Sequence, residues 1–248
     1  MRKDLYQDLG HREDSHFWHR AKRQLVEGLI VRYHHKDAGR TKILDVGCGT
    51  SGNAHMLQQF GEAWGIDASQ QAVQLSRKKG LVNILRQNAE KTSFKNNSFD
   101  VITILDLLEH SDDVRVLKEA YRILKIGGII ILTVPAYQAL WSRWDEILGH
   151  KRRYNRSSLY AKLSKQHFQI LKLSYCFSFL LLPVMIVRVL KSFLYTKADY
   201  PSDFALGGDG CINTFLGLLS SLERFILITL NINIPCGLSI IVVCRKSP

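Results

Sequence analysis

Apolar runs alternate with amphipathic stretches along the first half of the chain, and that rhythm predicts its organisation. Aliphatic and β-branched runs fall at 43–46, 63–66, 82–86, 99–105 and 129–134. Helical segments are predicted between them at 53–60, 69–79 and 111–124. Strands that alternate with helices of this length imply a parallel sheet with right-handed crossovers. Gly127-Gly128 reads as a helix stop and turn ahead of the last of these strands, and Pro135 ends that strand.

The flanks break the rhythm. Residues 1–40 are rich in charge, histidine and aromatics, with Leu25, Leu29 and Val31 near helical spacing. They predict one or two helices ahead of the sheet. These form either a plain packing layer or an N-terminal lid in which Phe17, Trp18 and His19 touch ligand. Residues 136–166 are polar and aromatic, so loop plus short helix is expected, with Ser157 or Ser158 capping a helix from near Leu159. Residues 168–175 alternate as a strand, and 238–244 form a plausible closing strand. Two apolar stretches, 177–194 and 212–230, approach the ~20 residues that cross a bilayer. Pro183, Arg188, Lys191, Glu223 and Arg224 interrupt them. Amphipathic helices that cap the sheet or lie in a membrane interface fit better, joined by a loop at 197–210.

Charge sharpens this picture. The 248 residues carry 34 basic and 22 acidic side chains, a net +12, which favours an anionic partner surface. The five cysteines are scattered with no CxxC pair, so neither a zinc site nor a disulfide framework is indicated. Most are expected to be reduced and buried. The polar N-terminus has no signal-peptide core, which makes a cytoplasmic location the expectation.

The candidate chemistry starts where the first strand ends, in Gly47-x-Gly49-x-x-Gly52. A buried parallel strand, a tight glycine turn and a helix start mark a ligand site at the carboxyl edge of the sheet. Asp67 closes the second strand and is placed to accept hydrogen bonds from ribose hydroxyls. The glycine spacing suits a dinucleotide as well as other nucleosides. Asp45, just before the turn, would repel a pyrophosphate and tolerate a cationic ligand.

Ile43-Leu44-Asp45-Val46-Gly47-Cys48-Gly49-Thr50 resembles the first motif of class I S-adenosylmethionine-dependent methyltransferases, in the methyltransferase type 11 group. Gly65-Ile66-Asp67-Ala68-Ser69 resembles the ribose motif, and Asn88-Ala89-Glu90 the segment beside the adenine, with Asn88 where an acid is usual. Phe99-Asp100-Val101-Ile102 and Leu124-Lys125-Ile126-Gly127-Gly128 match the fourth- and fifth-strand motifs. The resemblance spans roughly residues 40–135. It implies a Rossmann-like α/β fold: a seven-stranded, mostly parallel sheet with helices on both faces and a C-terminal helical cap insertion. The expected layout is a lid at 1–40 and an S-adenosyl-L-methionine-binding domain at 41–248, with the cap at about 176–235. The cofactor contacts it implies are Asp45, Gly47, Cys48, Gly49, Asp67, Ala68, Asn88, Ala89, Asp106 and Leu107.

Asp106-Leu107-Leu108-Glu109-His110 resembles the acid-x-x-Glu-His run of ubiquinone-biosynthesis O-methyltransferases and small-RNA 2′-O-methyltransferases, where it can hold a divalent metal. His150 is the candidate for a fourth ligand. Helix capping by Glu109 and His110 is the plainer alternative, and no metal is assigned. His110, His150 and Glu109 are taken as the catalytic set, with His110 as general base or as a hydrogen-bond partner of the acceptor. The block from Leu140 to Tyr154 resembles one in a bacterial subgroup associated with cell-envelope glycan or lipid chemistry. There Asp145 could orient His150, and Arg152, Arg153 and Arg156 could clamp a phosphate or carboxylate, or the loop could simply be salt-bridged.

The reading is an O-methyltransferase acting on a small-molecule or lipid- or glycan-linked acceptor, with peripheral contact at the inner face of the membrane. An RNA methyltransferase is the rival enzyme, disfavoured because no RNA-binding module is recognisable. A non-catalytic cofactor-binding scaffold is the non-enzymatic rival. The acceptor and the oligomeric state are not legible.

Overall fold

The computed structural model describes Glu13 and residues 15–34, 41–79, 83–194 and 210–247. Position 82 of the third predicted strand, most of 1–14 and nearly all of the loop 197–210 lie outside the described residues.

Seven strands form one sheet: β1 Lys42–Val46, β2 Glu62–Asp67, β3 Ile84–Arg86, β4 Phe99–Leu105, β5 Leu124–Pro135, β6 Phe168–Cys176 and β7 Ser239–Lys246. Their order is β3-β2-β1-β4-β5-β7-β6. β1 to β5 pair in parallel, and β7 runs antiparallel to both of its neighbours. The tips of β1, β2, β4 and β5 therefore share one edge, where the chain crosses over between strands.

Strand periodicity sorts the core into two layers. Leu44, Ile102, Ile104, Ile130 and Leu132 face helices α4 (Asp113–Ile123) and α6 (Arg156–Lys165). Ile43, Val101, Ile129 and Ile131 face helices α1 (Phe17–Tyr33) and α2 (Ala54–Gln58). Burial on both faces explains why these strands read as continuous apolar runs. The helix α3 (Gln70–Lys78) is capped by Ser69, and the short α5 (Arg143–Leu148) by Ser142 with Asp145 in a capping box.

Some predicted boundaries move. The helix expected at 111–124 is capped by Asp112 and ends at Ile123, where β5 starts at once. Gly127 and Gly128 sit inside β5, in a register slip where Phe99 pairs Leu124 but Val101 pairs Ile129. Gly127 has φ +78°, and a Cβ on Gly128 would meet Asp100 O at 2.8 Å. The pair therefore builds a bulge rather than a helix stop. Asn155, not Ser157 or Ser158, caps α6: its Oδ1 accepts from Ser158 N–H at 2.7 Å. All five cysteines are free, with Cys48, Cys176 and Cys244 buried and Cys211 and Cys236 exposed.

Between β6 and β7 the chain inserts helices α7 (Leu181–Leu194) and α8 (Cys211–Arg224). α8 with the turn that follows, Cys211–Thr229, is long and apolar enough to cross a membrane. Its Glu223 is buried and holds the start of the other cap helix. One oxygen accepts from Phe177 N–H, the other from Ser178 N–H at 2.7 Å and Ser178 Oγ at 2.6 Å. The predicted interrupting acid thus ties the two apolar segments together. α1 packs on α8 through Phe17 N–H to Asn213 Oδ1 at 2.7 Å, and Trp18 stacks on Phe177 at 4.0 Å.

Candidate active site

A cavity of about 840 Å³ opens at the strand tips under α1 and α7. One half is built on the turn after β1. Gly47 and Gly49 have φ +74° and +55°, the left-handed region where a side chain costs roughly 1–2 kcal/mol. A Cβ on Gly47 would meet Leu107 Cδ1 at 2.8 Å, whereas one on Gly49 would meet nothing within 4 Å. Gly49 thus offers bare backbone to a ligand. Asp67 Oδ2 accepts from Gly49 N–H at 3.0 Å and Oδ1 from Ser69 N–H at 2.8 Å. Two strand-tip loops thereby fix the carboxylate, whose remaining lone pairs serve hydroxyl donors.

Cys48, Ala68, Asn88, Ala89, Asp106 and Leu107 line the cavity, together with Gly47, Gly49 and Asp67. Asp45 does not. It is buried beneath the turn, where Thr103 Oγ1 donates at 2.7 Å and Asn53 Nδ2 at 3.4 Å. Burial raises its carboxyl to about 6. Its Oδ2 accepts from Asn53, which does line the cavity. Glu13 closes this half: it accepts from Thr50 Oγ1 and pairs with Lys79 Nζ at 2.9 Å. Asn88 turns its Oδ1 to Glu90 N–H at 2.9 Å.

The other half collects the predicted catalytic set. Glu109, His110 and His150 offer ligand atoms that all lie within 4.8 Å of one another, the donor set of a divalent-cation site. Asp106 stands apart, its carboxylate bound by Lys22 Nζ and by Thr133 Oγ1 at 2.8 Å. Burial opposes its ionisation, but Lys22 and Thr133 hold its carboxyl below the usual range. Glu109 is fully buried, and among the described residues neither of its oxygens has a hydrogen-bond partner. Burial and the nearby Asp106 push its carboxyl well up. The Nδ1 of His110 lies 3.3 Å from Gly149 O, and the two imidazoles meet edge to face at 4.8 Å. Burial and the neighbouring His150 lower His110 to about 4, so it is neutral near pH 7.

Asp145, fully buried, is the hub of this half. It accepts from His150 Nδ1 and Arg153 Nε, each at 2.8 Å, and Arg188 Nη1 of α7 lies at 3.6 Å. The predicted Asp145–His150 pairing is therefore present. Burial opposes ionisation, but His150, Arg153 and Arg188 hold the Asp145 carboxyl down at about 2. Of the three arginines expected as a clamp, only Arg153 lines the cavity. Arg152 pairs with Asp113 at 2.9 Å, and Arg156 is exposed at the start of α6. Sequence reasoning missed Glu13, Lys22 and Arg188 as lining residues. Lys22 lies one helical turn after Trp18 and four places from it, a spacing that could have marked it. The lid residues Phe17, Trp18 and His19 line the cavity, and burial with the charges of Lys22 and His16 lowers His19 to about 3.

Residues 44–132 match the family model described as a methyltransferase domain. The chain is 33% identical over 141 residues to an uncharacterized protein of Methanocaldococcus jannaschii, covering 56% of this chain and 54% of that protein. It is 35% identical over 125 residues to a demethylmenaquinone methyltransferase of Listeria monocytogenes, covering 46% and 52%. The chain thus spans about half the length of the curated relatives it matches. Its fold is similar to that of a chain in a complex of the Haloferax volcanii Trm112 methyltransferase activator with its partner protein. There the TM-score is 0.64 at 18% identity, over 99% of this chain and 95% of the other.

Proposed function

Because the chain carries a class I S-adenosylmethionine-dependent methyltransferase domain, we propose that it methylates an oxygen of a small-molecule or lipid- or glycan-linked acceptor, taken up at a membrane surface. The observation that carries this reading is one continuous cavity, from the Gly47–Gly49 turn and Asp67 to Glu109, His110 and His150. The turn half fits the cofactor: bare backbone at Gly49 and a fixed acid at Asp67 for the ribose.

When bound, S-adenosylmethionine supplies a methyl group on a sulfonium that departs as a neutral thioether. The chain's own residues align the acceptor, exclude water and take up the proton its hydroxyl loses. His110 is neutral, and Nδ1–H directed to Gly149 O leaves Nε2 with the lone pair that takes the proton. His150 is oriented by Asp145, and Trp144, Leu148, Leu180 and Val184 supply apolar walls. Those walls, and a relative that is a demethylmenaquinone methyltransferase, favour an acceptor with an apolar portion over RNA.

Incubation with methyl-labelled S-adenosylmethionine and either a membrane-lipid extract or total RNA tests the reading. Label is expected in the lipid fraction. Label in RNA alone, or in neither with the cofactor bound, would overturn the acceptor class.

A further inference from the structure

Charged groups of both signs line each half of the cavity, and Arg23, which donates to Gly52 O at 3.3 Å, stands with the acids of the glycine turn. Glu13 and Asp67 stand beside the glycine turn. Across the cavity stand Lys22, His150, Arg153 and Arg188, facing Asp106 and Glu109. Three cation-forming side chains converge on the single buried carboxylate of Asp145, drawn from three places: the loop after α5, the approach to α6, and the cap helix α7. That carboxylate fixes the direction of both guanidiniums. Arg153 Nη1 also donates to Ala136 O at 3.1 Å, and Arg188 Nη1 to Leu140 O. A guanidinium carries five N–H donors, so an arginine held this way can add a carboxylate or phosphate oxygen to the partners it has. Independently, both oxygens of Glu109 lie buried in the same half with no partner among the described residues. Such a group calls for a donor, and an acceptor hydroxyl is one.

We propose that the acceptor is an acidic hydroxyl compound, whose hydroxyl lies at Glu109 and His110 and whose carboxylate or phosphate group is received by Arg153 and Arg188. This rests on the methyltransferase reading of the cavity and narrows its substrate class.

Titration calorimetry on the full chain loaded with S-adenosylhomocysteine tests this with three probes: inorganic phosphate, acetate, and short-chain phosphatidic acid in micelles. The arms separate free phosphate, carboxylate and lipid-borne phosphate. At least one probe is expected to bind wild type, with affinity lowered about tenfold or more in Arg188→Gln and less in Arg188→Lys, which keeps the charge but loses the fork. S-adenosylhomocysteine affinity within about twofold of wild type certifies that each variant is folded. Binding of no probe to the loaded wild type, or equal binding in Arg188→Gln, overturns the proposal alone. Failure of S-adenosylhomocysteine to bind wild type overturns the methyltransferase reading itself.

Discussion

Asp67 shows how little a residue's chemistry can change before its site fails. Both oxygens accept backbone N–H groups, from Gly49 and Ser69. Asn in its place sets an amide NH2 against one of those donors in either orientation. Asp67→Asn is therefore expected to weaken S-adenosylmethionine binding by ~1–3 kcal/mol, measured by calorimetry. An unchanged Kd would remove Asp67 from the cofactor site. His110 makes a second residue-scale prediction. With its imidazole lowered to about 4, protonation disables it only near that pH. The rate kcat/KM should stay flat from roughly pH 8 down to pH 5 and fall below that. An inflection near ~6.5, the ordinary histidine value, would assign the base to another group. Residues with a spacing rule were legible: the glycines, Asp67 and the run through Glu109 and His110. Asp45 was legible as a motif, but its burial beneath the turn was not, because that depends on Thr103 of the neighbouring strand meeting it. Glu13 carries no such rule: it meets Thr50 and Lys79 only once α1 folds across the sheet.

Elements were legible where their period is unbroken. The five parallel strands follow from apolar runs, and the order of helices between them from the intervening length. Local competition decided the rest. Leu124 to Gly128 sits between a helix and a strand, and the bulge opposite Asp100 absorbs the two glycines into β5. Asn155 outcompetes the two serines because its carboxamide oxygen reaches Ser158 N–H while Ser158 Oγ returns to Asn155. The cap shows a deeper limit. Charges inside the two apolar stretches argued against spanning, but the sequence could not say that Glu223 would bind the backbone at Phe177 and Ser178. These charge-assisted bonds to buried amides are worth about 1.5–3 kcal/mol. Glu223→Gln should lower the melting temperature by roughly 3–12 °C, given about 2–4 °C per kcal/mol at this chain length. A scanning calorimetry shift under about 1 °C would show that the clasp between the cap segments carries no net energy.

At the scale of the whole molecule, the cap has two unlike sides. Leu180 and Val184 of the α7 region line the cavity. Leu182, Ile186 and Val189 on the same segment are 68%, 59% and 57% exposed, and Ile212, Phe215 and Leu218 of α8 are 64%, 60% and 65% exposed. A single amphipathic helix binds a membrane through buried apolar area and attraction to anionic lipid, and here two such faces join a chain of net charge +12. The two contributions respond differently to salt. Raising NaCl to about 1 M shortens the Debye length to about 3 Å and removes the electrostatic part, while apolar insertion persists. The proposed membrane-surface reading therefore predicts flotation with phosphatidylserine vesicles at low salt, reduced but not abolished at high salt. Replacing Ile186 and Phe215 together by Glu should cut the floated fraction about tenfold at both salts, since each change costs apolar insertion and adds repulsion. Wild type that fails to float at low salt would sink the reading. Flotation lost wholly at high salt would leave charge alone as the attachment, with the exposed faces of α7 and α8 playing no part.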